Sequence, residues 1–108
     1  MIIEEFQNTM LRLGKNKKEN DQLITDASDN DYWIHISNYP SGHCIIENPE
    51  NIKIDKKILK RACCLVKQHS KYSSIKNLRF DITQIKYIEK THILGQVIVS
   101  KFFKQITI

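Results

Sequence analysis

The sequence lacks the features that would place it in several large classes of protein. No apolar run approaches the roughly 20 residues needed to cross a bilayer, and the opening residues MIIEEFQ are acidic, unlike the basic start of a secretory signal. There is no Gly-rich phosphate loop, no nucleotide-binding fingerprint and no Gly-x-Ser-x-Gly elbow. We therefore expect a cytoplasmic protein with no membrane insertion and no cofactor, and no motif assigns it to a class of enzyme.

Cysteine is scarce and badly spaced for cross-linking or metal binding. The chain has three cysteines, an odd number, which favours free thiols in a reducing compartment over a disulfide framework. Structural zinc normally takes close pairs such as Cys-x-x-Cys, whereas Cys63 and Cys64 are adjacent and diverge by about 100° on a helix. We expect no metal site from the available side chains, which are His35, His43, Cys44, Cys63, Cys64 and His69.

Length and charge set the remaining limits. A chain of 108 residues supports one domain, residues 1–108, because two cores would each be too small. Lysine and arginine number 17 against 12 acidic residues, giving a net charge of +5. This surplus suits a polyanionic partner, although it is also common on proteins that bind none.

The clearest element is an amphipathic helix over about Asp55–His69, with Asp55 as its N-cap. Its remaining surface is basic and includes Lys60. The apolar stripe has the spacing of a half-buried helix and consists of Ile58, Leu59, Ala62, Leu65 and Val66.

Alternating apolar residues predict strands in the middle and last third of the chain. Tyr32–Ser37 and the residues around Phe80 have this period, and a turn at Lys101–Lys104 is expected to join the last two strands. A short helix is expected near Asn20–Ala27, capped by Asn20 or Asp21. Together these elements predict an α+β domain in which one main helix covers one face of an antiparallel sheet.

The first 13 residues are ambiguous by pattern. Ile3, Phe6, Met10 and Leu13 recur at helical spacing, yet the residues before Gly14 can equally form a strand that enters a turn. Pattern alone does not separate the two.

The most informative segment runs from Asp31 to Ile46 and reads DYWIHISNYPSGHCII. If it begins with a strand, Trp33 and His35 lie on the same face. With the lysines of the GKNKKEND segment, they could offer phosphate contacts and an open surface for stacking an RNA base. A lone tryptophan is, however, most often part of a core.

Two other functions use the same residues. An RNA-modifying or hydrolytic enzyme could use His35 or His43 as general base, with Asp31 orienting the ring and Ser41 nearby. A DNA-binding protein would use the same positive charge. No spacing in the chain specifies a catalytic triad.

The order of these motifs resembles the NFACT RNA-binding domain, the module shared by fibronectin-binding protein A, Caliban and the nuclear export mediator factor. That family has a Gly-Arg-Asn…Asn-Asp loop, then Asp-x-Trp-x-His and Pro-Gly-Ser-His, and a late Gly that begins a pair of strands. The corresponding positions here extend from about Thr9 to the C-terminus, with Lys15 in place of Arg and with Ser41-Gly42 in the reverse order of Gly-Ser. They are Gly14-Lys15-Asn16, Asn20-Asp21, Asp31, Trp33, His35, Pro40-Ser41-Gly42-His43 and Gly95.

The resemblance implies that Ile2 to Leu13 form a hairpin, and that the chain binds RNA, such as tRNA or ribosomal RNA, in ribosome-associated quality control. It places a functional face on Lys15, Asn16, Asn20, Asp21, Asp31, Trp33, His35, Ser41 and His43. From their charge or their position in the turn we add Lys17, Lys18, Gly42 and Lys60.

Overall fold

The computed structural model describes all residues, 1–108, as eight strands and two main helices. The helices are α1 (Lys17–Asp26) and α2 (Lys56–Gln68), and a short 3-10 turn occupies Ile85–Tyr87. The strands are β1 (Ile2–Phe6), β2 (Thr9–Leu13), β3 (Tyr32–Ile36), β4 (Cys44–Ile46), β5 (Arg79–Gln84), β6 (Ile88–Lys90), β7 (Val97–Val99) and β8 (Lys104–Thr107).

The N-terminal segment is a hairpin, as the family resemblance implies and against its helical spacing. Strands β1 and β2 pair antiparallel, with Phe6 opposite Thr9. Gln7 and Asn8 between them both have positive φ angles, 49° and 61°, which is the geometry of a two-residue type I′ turn. This turn matches the right-handed twist of the strands and so fixes the hairpin register.

Six strands form one antiparallel sheet in the order β1-β2-β4-β3-β5-β8, and β6 pairs with β7 as a separate ribbon. Side chains alternate along β3, so Ile34 and Ile36 enter one core while Trp33 enters another. The sheet is therefore covered on both faces.

The larger core lies between the sheet and α2. Asp55 caps this helix by accepting from the Lys57 N–H at 2.7 Å, and Ile58, Leu59 and Ala62 pack on the sheet. The expected α+β fold with one main amphipathic helix is confirmed.

The smaller core lies on the opposite face, beneath α1 and the β6–β7 ribbon. Leu23 and Ile24 of α1 pack with Trp33 and Ile45 of the sheet. The ribbon is tied to α1 by Lys90, which forms an ion pair with Asp21 at 3.1 Å. This second layer was not expected from the sequence.

Two expected boundaries are wrong. Helix α1 begins at Lys17 and not at Asn20, because Asn16 caps it by accepting from the Glu19 N–H at 2.9 Å. The expected turn at Lys101–Lys104 does not join the last two strands, because β7 pairs with β6 while β8, which begins at Lys104, lies at the edge of the main sheet beside β5. Neither helix is long and apolar enough to span a bilayer.

Candidate nucleic-acid interface

Four connecting segments meet at one end of the main sheet, which we call the loop end. They are residues 14–16, 37–43, 69–72 and 91–96. Gly14 donates its N–H to the His43 carbonyl at 3.0 Å, and the rings of Tyr39 and Tyr72 are 4.9 Å apart. Loops that a rigid sheet holds together in this way commonly carry binding residues.

Two of the three glycines of the loop end, Gly14 and Gly42, are required by close packing. A Cβ atom at Gly42 would lie 2.2 Å from the Gly14 carbonyl oxygen, and a Cβ atom at Gly14 would lie 2.2 Å from the Asn20 side-chain oxygen. That Asn20 oxygen accepts from the His43 N–H at 3.0 Å. Asn20 therefore fixes the position of His43 from the interior, where a buried N–H without an acceptor would be costly.

The start of α1 presents three lysines at the loop end. Glu19 accepts from the Lys15 N–H at 2.9 Å, which holds the segment before the helix in place. Lys17 and Lys18 lie in the first turn of the helix, and all three lysines are exposed. They are therefore free to contact a polyanion.

Trp33, His35 and His43 form an aromatic cluster under the second layer. The Trp33 and His35 rings are stacked, 5.5 Å apart and 9° from parallel, and the His43 ring meets both edge-on at 5.3 and 5.1 Å. The expectation that Trp33 lies on an open surface is wrong. Its side chain is only 3% exposed, because α1 and the β6–β7 ribbon cover that face of the sheet.

The cluster is uncharged at neutral pH. Burial lowers the pKa of His43 to about 3, with a smaller effect from His35, and burial also lowers the pKa of His35 against the opposing effect of Asp81. Trp33 Nε1 and His43 Nδ1 are buried without a hydrogen-bond partner. The histidines therefore contribute aromatic surface and not positive charge.

Two clefts adjoin at His35 and His43 of this cluster. The Trp33 cleft, of about 350 Å³, also includes Asp81 and Phe102, and the Tyr39 cleft, of about 410 Å³, also includes Lys17. Both volumes are in the range typical of ligand sites. The two clefts share four lining residues, which are His35, His43, Gly95 and Gln96.

Several predicted site residues have roles within the fold. Asp31 accepts from the Ser28 and Asn48 N–H groups at 3.0 and 2.8 Å, so it braces a loop and does not contact either histidine. Ser41 accepts from the Ile36 N–H and donates to the Gly42 carbonyl, both at 3.1 Å. The arrangement of Asp31, Ser41 and a histidine considered for catalysis is therefore not assembled.

The structure does not bring Lys60 to the other predicted residues. It is exposed on α2, which covers the opposite face of the sheet from the aromatic cluster. Lys60 is also far from the loop end along α2. Nine residues, or about 13 Å along the helix axis, separate it from His69, where one segment of the loop end begins.

Sequence reasoning missed Tyr39, Asp81, Gln96 and Phe102, which line the clefts. Two of these residues had a signal in the sequence. Tyr39 directly precedes the Pro-Ser-Gly-His turn, and Phe102 is one of two consecutive aromatic residues that lie outside any predicted strand. Asp81 could have been found from strand pairing, because it lies directly opposite His35 on β5.

The structure is a small α+β domain with two adjoining clefts and with exposed lysines at its loop end. The sequence profile described as the NFACT protein RNA binding domain matches residues 2–101. The chain belongs to this family, and a general role in RNA binding follows from that membership. A search of curated protein sequences found no match.

The structure is also similar to a solved one, the C-terminal part of the fibronectin/fibrinogen-binding protein from Streptococcus suis. The TM-score is 0.85 at 22% sequence identity, and the alignment covers 98% of this chain and 43% of that one. At this identity the likeness establishes the shared fold. The chain thus spans less than half the length of this structural relative.

Proposed function

We propose that residues 1–108 act as one unit that binds structured RNA, tRNA or ribosomal RNA, in the cytoplasm, through the loop end. The observation that carries this proposal is the group of exposed lysines around the start of α1, where Lys17 lines the Tyr39 cleft and Lys15 and Lys18 are its exposed neighbours in the sequence. Membership of an RNA-binding domain family supports the same class of ligand.

We expect the free energy of RNA binding at this surface to have two parts. The lysines neutralise phosphates, which gives affinity that is independent of sequence and falls with salt. The clefts are mostly uncharged and suit exposed bases or the shape of a folded RNA. Asn16 supports this surface by capping α1. Within the helix, Asn20 holds His43 and Asp21 pairs with Lys90.

A connection to ribosome-associated quality control is part of the proposal. The resemblance implies it, since larger proteins with this domain engage tRNA and the large ribosomal subunit. The ribosome is a possible partner because it presents both folded RNA and tRNA.

The test measures affinity for tRNA as a function of salt. We expect a variant with Lys15, Lys17 and Lys18 all changed to Ala to bind every RNA more weakly. The slope of log affinity against log salt should become less negative by about 0.7 to 0.9 for each phosphate that the variant no longer neutralises. Fluorescence anisotropy with labelled tRNA gives both quantities.

The matched control changes three other exposed lysines, Lys56, Lys57 and Lys60, to Ala. These lie on α2, on the opposite face of the sheet from the clefts, so the same reduction in charge should have a much smaller effect. Equal decreases in affinity for the two triple variants would show that only net charge matters and would remove the loop end from the interface.

A competition at fixed salt ranks RNA against DNA. We expect unlabelled tRNA to displace labelled tRNA more effectively than duplex DNA of the same phosphate concentration does, because the clefts are suited to exposed bases. Equal displacement would favour a general polyanion-binding protein.

A further inference from the structure

The two clefts are the ends of one groove. They share His35 and His43 as floor and Gly95 and Gln96 as one wall. The wall is a tight turn in which Gly95 has a φ of 80° and packs against the backbone of Lys17. The groove therefore runs from Tyr39, past the aromatic cluster, to Phe102.

Each end of the groove carries an exposed aromatic side chain. Tyr39 is 49% exposed and Phe102 is 50% exposed, although both side chains are large and apolar. Three aromatic side chains of the protein are exposed, namely these two and Phe103 at 49%, whereas Trp33 and Phe80 are 3% and 0% exposed. Aromatic faces open to solvent along a groove are typical of sites on which successive bases stack.

The charges along the groove match the parts of a nucleotide chain. Lys17 lines the Tyr39 end, where it supplies a cation for phosphate. Near the other end, Lys101 directly precedes Phe102 and is exposed; its Nζ lies 5.5 Å from the centre of the Tyr87 ring, and the side chain would turn from this ring to reach a phosphate. Asp81 and Gln96 lie inside the Trp33 cleft. A carboxylate there would repel phosphate but would accept hydrogen bonds from a base amino group or a 2′-hydroxyl.

We propose that this groove binds a single-stranded RNA segment, with Tyr39 and Phe102 stacking on bases at its two ends and Lys17 and Lys101 contacting the phosphates. The inference rests on the proposed RNA-binding function and deepens it, because it names unpaired RNA as the part that is recognised. A duplex keeps its bases stacked on one another and cannot use the two aromatic side chains in this way.

The experiment uses the single tryptophan of the chain as a reporter. Trp33 lines the groove, so a base that enters it should change the Trp33 fluorescence. The full chain is titrated with a single-stranded RNA hexamer and with a duplex RNA of equal length. We expect saturable quenching by the single strand and little by the duplex.

Substitutions then test the two stacking positions. Tyr39→Leu and Phe102→Leu keep an apolar side chain but remove the aromatic face, and each should weaken single-strand binding about tenfold. Tyr39→Phe and Phe102→Tyr should bind like the parent. Ile98→Ala is the control, because Ile98 is 58% exposed on the β6–β7 ribbon but lines neither cleft. A thermal melt of each variant checks that it is folded.

The outcomes separate this inference from the proposed function. If the leucine variants bind single-stranded RNA like the parent while the triple lysine variant loses affinity for tRNA, the groove proposal is overturned and RNA binding stands. Equal quenching by the duplex also overturns it. If no RNA binds the parent chain at low salt, the proposed function fails and the groove proposal fails with it.

Discussion

The burial of His43 predicts that the protein loses stability as the pH falls. The pKa of this histidine is about 3 in the folded protein, against an ordinary value of 6.5 that we take for the unfolded chain. Below pH 6.5 the unfolded chain therefore takes up a proton that the folded protein does not. Stability is complete above pH 6.5 and decreases as the pH falls towards 3.

The expected decrease is large for a domain of this size. Each pH unit in this window lowers the free energy of unfolding by about 1.4 kcal/mol for one histidine, so His43 alone removes about 2 kcal/mol between pH 6.5 and pH 5. The lowered pKa of His35 acts in the same direction. Small domains have only about 5–15 kcal/mol in total.

The assay is urea unfolding at several pH values, followed by Trp33 fluorescence. His43→Leu removes the titrating group at similar volume. We expect it to cost about 1–2 kcal/mol at pH 7, because the edge-on packing against Trp33 and His35 is removed, and to flatten the dependence on pH. His92→Gln is the control, because His92 is exposed and lies outside the aromatic cluster.

A parallel decrease in the stability of the parent and of His43→Leu between pH 6.5 and pH 5 would refute this prediction. That result would mean that His43 has an ordinary pKa in the folded protein and that its ring is hydrated. The packing of Trp33, His35 and His43 as a buried cluster would then be incorrect.

Three further predictions concern the packing that holds the site. Gly42→Ala should lower stability by about 3 kcal/mol and the Tm by roughly 10 °C or more, because the added Cβ would meet the backbone oxygen of Gly14. A Tm within 2–3 °C of the parent, roughly the effect of 0.5 kcal/mol, would contradict this close approach. Asn20→Ala should cost about 1–3 kcal/mol by leaving the His43 N–H without its acceptor, measured by urea unfolding, and a neutral result would show that the bond is dispensable. Among the three thiols, alkylation of the native protein should modify Cys64 first, because burial raises the pKa of Cys63 to about 12 and that of Cys44 still further. Equal labelling of the three cysteines by mass spectrometry would contradict the burial of Cys44 and Cys63.

Much of the fold could be predicted from local sequence. The period of the apolar residues identifies α2 and β5, and the residue Asp55 marks where α2 begins. The start of α1 was missed although its signal is present, since Asn16 followed three residues later by Glu19 is a typical capping pattern. The N-terminal hairpin required the family resemblance, because its turn depends on positive φ at Gln7 and Asn8 and not on apolar spacing.

The candidate site was only partly predictable. The alternation along β3 correctly placed Trp33 and His35 on one face, but it could not show what covers that face. The β6–β7 ribbon, which covers Trp33, is more than 50 residues away from it in the sequence. Its packing on Trp33 is a tertiary contact that local patterns do not predict. Tyr39 and Phe102 are also far apart in the sequence, so local patterns could not place them on one groove.

The most direct test of the account is to locate the contacts in a complex of the full chain with tRNA by ultraviolet cross-linking and mass spectrometry. The account predicts cross-links on the loop end and along the groove, at Tyr39, Phe102 and peptides that contain Lys17. Cross-links confined to the lysines at the start of α2, with none at the loop end, would contradict it.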